Sequence, residues 1–194
     1  MKVFLLSPAN TSGTRGAMLL REQAQFDVAV RLREGVAPIG EVYSFISGLY
    51  FRGKMAYVAA FGTGLVIVPG FGLLPVETPI NQQQFRAISE VRIERDQEVF
   101  RTPLLRDANL MDQHTGGSAT FVLLGSIATE KYVEPLLVVF GDRLVFPIDF
   151  VGRGDMSRGG LMLRCAKSGV ELEYAPVRGA TRHGKRPPKL PKLR

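Results

Sequence analysis

The chain is poor in the residues that bind metals and form cross-links. Among its 194 residues there is no tryptophan, there are two histidines, and Cys165 is the single cysteine. One cysteine excludes an intramolecular disulfide, and with so few thiol and imidazole groups the sequence predicts neither a metal site nor a bound cofactor. A chain without disulfides is typical of a reducing compartment, so we expect a cytoplasmic location.

Long apolar runs are missing as well. No stretch approaches the roughly 18–20 apolar residues that span a membrane, so we expect no membrane association. The opening residues, MKVFLLSPANTSG, contain a short apolar run that ends at Pro8, which is typical of a first strand rather than of a signal peptide. The apolar fraction of 45% and the chain length suit a globular domain with a buried core.

Acidic residues are missing from one end of the chain. Residues 178–194 hold seven lysines and arginines and no acid, so residues 1–177 carry 18 bases against 18 acids and the net charge of +7 lies in this segment. Its prolines oppose a helix, and we expect a disordered basic tail, 178–194, after a single domain, 1–177. The tail is either a solvated terminus or an arm that binds the phosphates of RNA or DNA. Its basic residues are Arg178, Arg182, Lys185, Arg186, Lys189, Lys192 and Arg194.

Apolar runs that alternate with helical patterns predict the fold. Four runs are apolar except at their ends, as expected of strands buried on both faces: Lys2–Ser7, Leu65–Val68, Thr120–Leu124 and Leu144–Phe146. The alternation predicts an α/β fold: a single compact domain with an open, mainly parallel sheet of about four core strands flanked by helices. Residues 170–174 alternate like an edge strand, and residues 89–118 are poorly patterned. The predicted helices cover residues 26–34, 50–61, 81–88, 104–113, 130–140 and 156–167.

The carboxyl ends of the predicted strands carry small and turn-forming residues. Ligands of open α/β sheets bind outside these ends, where glycines permit close approach and helix N-termini favour anions. The sequence therefore predicts an anion site for a phosphate, carboxylate or nucleotide, unless these residues only form tight turns. The candidate binding residues are Ser7, Asn10, Arg52, Lys54, Gly72, Gly125, Ser126, Arg153, Gly154, Ser157 and Arg158.

The segment SGLYFRGKM resembles a phosphate loop. Gly48 and Gly53-Lys54 fit the pattern G-x-x-x-x-G-K-[ST], but Met55 replaces the hydroxyl that holds magnesium, and the four intervening residues are bulky. The spacing of its apolar residues instead predicts a helix, on which Arg52 and Lys54 could reach an anion. A second motif, GRGD at 152–155, is interpreted as a loop in which Asp155 caps the following helix.

Signals for catalysis are weak. No G-x-S-x-G elbow is present, and neither histidine has an obvious place beside a serine. The candidate catalytic residues are Ser7, as a nucleophile that would need a base, and the carboxylates Glu77 and Asp149, of which Asp149 directly follows a strand. Whether the chain is an enzyme therefore stays open.

Blocks in several loops and helices are similar to a known group of domains. These are the opening FLLSPANT, the block with Phe51, Arg52 and Tyr57, and later blocks that contain Gly72, Leu73 and Pro75, then Gly125, Tyr132, Pro135 and Leu136, then Pro147, Gly152 and Gly154. In this order they resemble small bacterial α/β domains distantly similar to the YaaA peroxide-stress family and to uracil-DNA-glycosylase-like accessory domains. The resemblance implies a compact α/β fold of that kind and a link to nucleotides or nucleic acids. The chain departs from the pattern where Ser7 stands near an expected cysteine, Asn10 replaces a lysine and Phe71 replaces a histidine.

Three hypotheses follow. The first is a protein that binds a nucleotide or a nucleic acid at the strand carboxyl ends, with the basic tail adding salt-sensitive affinity. The second is an enzyme that cleaves an N-glycosidic bond of a nucleoside or sugar phosphate, with Asp149 or Glu77 orienting water. The third is a subunit, without catalytic activity, whose tail docks on an acidic protein partner.

Overall fold

A mainly parallel sheet forms the centre of the protein. The structure, a computed structural model, describes residues 1–94 and 96–190. Within them, the sheet has the strand order β4-β3-β1-β6-β7-β8, and β2 and β5 form a separate antiparallel pair. The strands are β1 (Lys2–Leu6), β2 (Ala37–Pro38), β3 (Thr63–Val68), β4 (Gly72–Pro75), β5 (Pro79–Ile80), β6 (Thr120–Leu124), β7 (Leu144–Pro147) and β8 (Tyr174–Pro176).

The four strands at the centre of the sheet are those that the sequence predicts. β1 pairs in parallel with β3 and β6, and β6 pairs in parallel with β7. β4 and β8 lie antiparallel at the two edges. An α/β fold with a mainly parallel sheet is therefore confirmed, and the edge strand predicted over residues 170–174 begins only at Tyr174.

Helices cover both faces of the sheet. Within the described residues they are α1 (Thr14–Leu19), α2 (Asp27–Glu34), α3 (Ile39–Ser47), α4 (Leu49–Phe61), α5 (Gln82–Glu90), α6 (Glu98–His114), α7 (Glu130–Phe140) and α8 (Asp155–Ser168). Alternate residues of β1 enter two apolar clusters: Phe4 and Leu6 pack with residues of α4 and α8, whereas Val3 and Leu5 pack with residues of α6 and α7. Burial on both faces explains why the core strands are apolar except at their first residues.

The sequence interpretation differs from the structure in the middle of the chain. The poorly patterned segment, 89–118, contains all of α6, which begins at Glu98 rather than at residue 104 and includes Pro103 in its second turn. Phe100, Leu104 and Ala108 lie on one face of this helix and are buried. The four-residue spacing of these apolar side chains is a helical pattern, but Pro103 lies within it and argues against a helix when only the sequence is considered.

A smaller correction concerns the start of α8. Asp155 is the first helical residue rather than the cap, and the N-cap residue is Gly154, which has no side chain to accept a hydrogen bond. The amide groups in the first turn of α8 therefore have no side-chain cap. None of the helices in the described part of the chain is long and apolar enough to cross a membrane.

Candidate functional site

The order of the strands places a crevice between the carboxyl ends of β1 and β6. From β1 the chain passes to β3 on one side, and after β3 and β4 it returns past β1 to β6 on the other side. Such a reversal opens a crevice between the two strands, and ligands of open α/β sheets bind there. A cavity of about 270 Å³ lies at this position. We call it the switch-point cleft; its lining includes Ser7, Ala9, Asn10, Tyr50, Ser126 and Asp155.

A close approach of two loops shapes the base of the switch-point cleft. A Cβ atom added to Gly125 would lie 2.8 Å from Cβ and 2.9 Å from Oγ of Ser7, so only glycine allows this contact. The next residue, Ser126, accepts a hydrogen bond at its carbonyl from the Tyr132 hydroxyl, at 3.2 Å. The fold thus brings the predicted residues Ser7, Gly125 and Ser126 together. Tyr132, which the sequence did not indicate as a site residue, contacts them.

Lys54 reaches the same point from the helix side. It is 1% exposed, and its Nζ donates hydrogen bonds to the carbonyl oxygen of Ser7 at 2.9 Å and to Ser7 Oγ at 2.8 Å. The ring of Tyr50 lies 4.1 Å from the same nitrogen. Burial lowers the pKa of the Lys54 ammonium to about 7, with Asp155 raising it and Arg158 lowering it further. Lys54 is therefore a buried base in contact with a serine hydroxyl.

Two glycines bring α4 and α8 close enough for this arrangement. A Cβ atom on Gly53 would lie 2.6 Å from the carbonyl oxygen of Gly159, and one on Gly159 would lie 2.6 Å from the carbonyl oxygen of Leu49. The backbones of the two helices are therefore in direct contact. The second glycine of the phosphate-loop-like segment thus serves helix packing, and residues 49–55 are helical, so the segment is not a phosphate loop.

Arg158 is bound within the protein. Its Nε and Nη2 donate to the carbonyl oxygen of Phe150 at 3.2 and 3.0 Å, and its Nη1 lies 3.6 Å from Asp155 Oδ1. At 9% exposure the guanidinium fastens α8 to the segment that follows β7. In this arrangement it contributes to the electrostatics of Lys54 and Tyr50.

A second cavity, of about 430 Å³, lies between α8 and the tail. Four cationic residues, Arg153, Arg164, Arg186 and Lys189, line it, and no acidic residue is found among the described residues of its wall. Gly154 and Ser157, both predicted site residues, line it too. We call this cavity the basic pocket. Arg153 is held in place there, since its Nε donates to the carbonyl oxygen of Asp149 at 2.9 Å.

The described part of the tail, residues 178–190, contains no helix or strand and lies against the domain. Arg178 pairs with Asp142 and Arg182 with Glu130, each at 3.2 Å. A Cβ atom on Gly152 would lie 2.2 Å from the carbonyl oxygen of Lys185, so the tail contacts the loop before α8. These contacts place Arg186 and Lys189 at the basic pocket, whereas the predicted tail residues Lys192 and Arg194 lie outside the described residues.

The remaining candidates lie elsewhere. Arg52 is exposed and lines a separate surface pocket with Arg15, and Gly72 faces Asp107, whose Oδ2 would be 2.0 Å from an added Cβ. Glu77 follows β4, which runs antiparallel to β3, and therefore lies towards the amino end of β3. Asp149 is exposed in a 3-10 turn after β7. Neither carboxylate is among the residues that line the switch-point cleft.

The sequence interpretation missed the burial of Lys54. Its position could have been read from the helical period, because Tyr50, Phe51, Lys54 and Tyr57 lie on one face of α4 and all four are buried. The contact with Ser7 could not be read from the sequence, since it depends on how α4 lies against β1. No group of three or more histidine, cysteine, aspartate or glutamate side chains suited to a metal ion occurs in the part of the chain that the structure describes.

Comparisons with known proteins give no relative for this chain. A scan against protein-family models found no matching family. Searches of curated proteins and of solved structures likewise returned no significant match. The resemblance to the YaaA-like domains therefore stays a prediction, and the geometry of the two cavities is the basis on which a function can be proposed.

Proposed function

We propose that this protein binds the phosphate groups of a nucleotide or a nucleic acid in the basic pocket. The observation that carries the proposal is the composition of the lining: Arg153, Arg164, Arg186 and Lys189 line one cavity, and none of the other described residues of its wall is acidic. Cations that converge on a cavity favour a multivalent anion, and arginine binds phosphate oxygens with well-defined geometry. The volume of about 430 Å³ is in the range of small-molecule sites.

The start of α8 adds a second attraction for anions. This helix is 14 residues long, and its N-cap, Gly154, lines the basic pocket together with Met156 and Ser157. The uncapped amide groups and the helix dipole favour a negative charge at this end. The carboxylate of Asp155 opposes that effect in part, but Asp155 lines the switch-point cleft rather than the basic pocket.

The tail contributes two of the four cations. Because Arg186 and Lys189 belong to the tail and Arg153 and Arg164 to the domain, the pocket exists only while the tail lies against α8. A phosphate bound between them would link the two parts. We therefore expect the ligand and the tail to stabilise each other, and affinity to depend strongly on salt.

The proposal is tested by fluorescence anisotropy with a labelled single-stranded oligonucleotide, and by competition with ATP, across a series of salt concentrations. A variant with Arg153→Ala, Arg186→Ala and Lys189→Ala should bind more weakly, and the slope of log K against log salt should become shallower by about 0.7 for each phosphate contact removed. Arg86→Ala is the matched control, because Arg86 is exposed on α5, away from both cavities.

The three ligands distinguish a mononucleotide, a nucleic acid and an acidic protein as the binding partner. Competition by ATP at low concentration indicates a mononucleotide site, whereas tight binding of the oligonucleotide alone indicates a polymer. Polyglutamate tests charge without phosphate: binding as tight as that of the oligonucleotide would favour an acidic protein partner and contradict the proposal. Equal affinities of the triple variant, the Arg86→Ala protein and the unmodified chain would also overturn it.

A further inference from the structure

Lys54 is unusual because it is a buried cation without a carboxylate partner. Within the described residues its Nζ forms hydrogen bonds only with the carbonyl oxygen and the Oγ of Ser7. A charged ammonium in this position costs free energy that no ion pair offsets. The charged or titratable groups that face it are Asp155 and Arg158 from α8 and Tyr50 on its own helix.

Ser7 connects the buried Lys54 amine to the switch-point cleft. Ser7 lines the cleft, and its Oγ is 2.8 Å from Lys54 Nζ, within the range required of a nucleophile and its base. We propose that Ser7 and Lys54 form a nucleophile and general-base pair that hydrolyses a small, uncharged carboxylic ester in the switch-point cleft. This activity goes beyond the binding of phosphate in the basic pocket and involves different residues.

The protonation state of Lys54 agrees with this role. Because burial lowers the pKa of its ammonium to about 7, a substantial fraction of the side chain is a neutral amine at neutral pH. A neutral Nζ can donate one hydrogen to the Ser7 carbonyl oxygen and accept the Ser7 hydroxyl hydrogen. A base is most effective when its pKa lies near the working pH.

The lining of the cleft indicates the class of substrate. Asp155 carries the only full charge among the described residues of the lining, and its carboxylate would repel a phosphate or another acid. Pro8, Ala9 and Ile46 give the cleft apolar surface. A volume of about 270 Å³ admits a small group only. A neutral acyl ester fits these conditions better than a phosphate ester.

Donors for the developing oxyanion are also present. The backbone amides of Ala9 and Asn10 belong to lining residues, and neither donates a backbone hydrogen bond within the part of the chain that the structure describes. The Tyr50 hydroxyl is buried and has no hydrogen-bond partner of good geometry there either. Donors of this kind stabilise the charge that forms on a carbonyl oxygen during acyl transfer.

The reaction needs only ester and water. Lys54 Nζ removes the proton of Ser7 Oγ as this oxygen forms a bond to the carbonyl carbon, and the carbonyl electron pair moves to its oxygen. Collapse of the intermediate breaks the bond to the alcohol, which takes the proton from Lys54. Water then attacks the acyl group on Ser7, again giving a proton to Lys54, and Ser7 Oγ leaves with that proton. Acid and alcohol are the products.

The test is covalent labelling with a small alkyl fluorophosphonate, with the site located by peptide mass spectrometry, alongside hydrolysis of p-nitrophenyl acetate. We expect the label on Ser7, no label in Ser7→Ala, and a labelling rate at least about 100-fold lower in Lys54→Met, since a general base contributes this much or more. Ser118→Ala is the matched control, because Ser118 is exposed in the loop before β6, lines neither cavity, and its loss should leave the labelling rate of the unmodified chain unchanged.

A second measurement does not depend on the folding of a variant. The labelling rate of the unmodified protein should rise with pH with a midpoint near 7, as Lys54 loses its proton. A label on another residue, a pH-independent rate, or equal labelling of native and heat-unfolded protein would overturn the proposal. A negative labelling result would not contradict the proposed phosphate binding, because the anisotropy assay with the Arg153, Arg186 and Lys189 variant reports on the basic pocket alone.

Discussion

Gly159→Ala tests the contact between α4 and α8 on which the position of Lys54 depends. The added Cβ would lie 2.6 Å from the Leu49 carbonyl oxygen and 2.8 Å from the Leu49 carbonyl carbon and the Tyr50 Cα. All three are backbone atoms, which cannot rotate away as a side chain can. The helices would therefore have to separate by roughly 1 Å to reach an ordinary contact distance, in a region where interiors are closely packed.

The expected change in stability follows from two opposing effects. Overpacking costs about 1–3 kcal/mol, whereas replacing glycine by alanine inside a helix gains about 1 kcal/mol. Because the clash at Gly159 involves rigid backbone, we expect a net loss of about 1–2 kcal/mol, within the range of such overpacking. A change of that size lowers the melting temperature by roughly 2–8 °C in a chain of this length.

Gly160→Ala is the matched control on the same helix. The nearest atom to an added Cβ at this position is Arg164 Nη1, at 3.3 Å, which is the end of a flexible side chain. We therefore expect Gly160→Ala to be neutral or to stabilise by up to about 1 kcal/mol. Urea unfolding followed by circular dichroism measures both variants. If Gly159→Ala proves as stable as Gly160→Ala, the described contact of α4 with α8 is refuted.

Two further predictions concern buried polar groups. The folded protein releases the Lys54 proton near pH 7, whereas the unfolded chain keeps it until about pH 10.5, so the unfolded state binds more protons between these values. The free energy of unfolding, measured by urea titration relative to Lys54→Met, should therefore rise with pH in this range, by at most about 1.4 kcal/mol per pH unit. A constant difference between the two proteins from pH 7 to 10 would contradict the lowered pKa. The Tyr57 hydroxyl accepts the amide hydrogen of Leu172 at 2.8 Å and shares a hydrogen bond with Tyr174 at 2.6 Å, so Tyr57→Phe should destabilise by about 1–3 kcal/mol by leaving that amide unpaired. Tyr43→Phe, which removes a buried hydroxyl that has no hydrogen-bond partner within the described residues, should not destabilise in the same unfolding assay.

The sequence was most informative where a local pattern determines the structure. The apolar runs that begin at Lys2, Leu65, Thr120 and Leu144 correctly predicted the parallel strands, because burial on both faces confines polar residues to the ends of these strands. The edge strands were harder: β4 was not predicted, since its four residues follow β3 through a tight turn and have no period of their own. Pairing with β3, a tertiary effect, makes this segment a strand.

The sequence predicts some of the residues that lie together at the carboxyl ends of β1 and β6, but not all of them. Ser7 follows β1, and Gly125 and Ser126 follow β6. These two strands are parallel neighbours, so their carboxyl ends, and with them the three residues, lie side by side at one edge of the sheet. The sequence predicts a single site for the cations because it does not show how α4 and α8 pack against the rest of the protein. Lys54 and Arg158 are directed into the protein and hold backbone oxygens, whereas Arg153 faces the basic pocket with the tail.

The presence of a lysine at position 54 is itself informative. A methionine has nearly the same length, carries no charge and would fill the space beside Tyr50 and Phe51 without the cost of burying an ammonium. A lysine here lowers stability most below about pH 7 and progressively less up to about pH 10.5, and the hydrogen bonds to Ser7 recover only part of that cost. If the group served packing alone, Lys54→Met would gain stability and lose nothing. Under the proposed chemistry the same variant gains stability at pH 6 and loses the labelling of Ser7, and this opposition distinguishes a functional amine from a structural one.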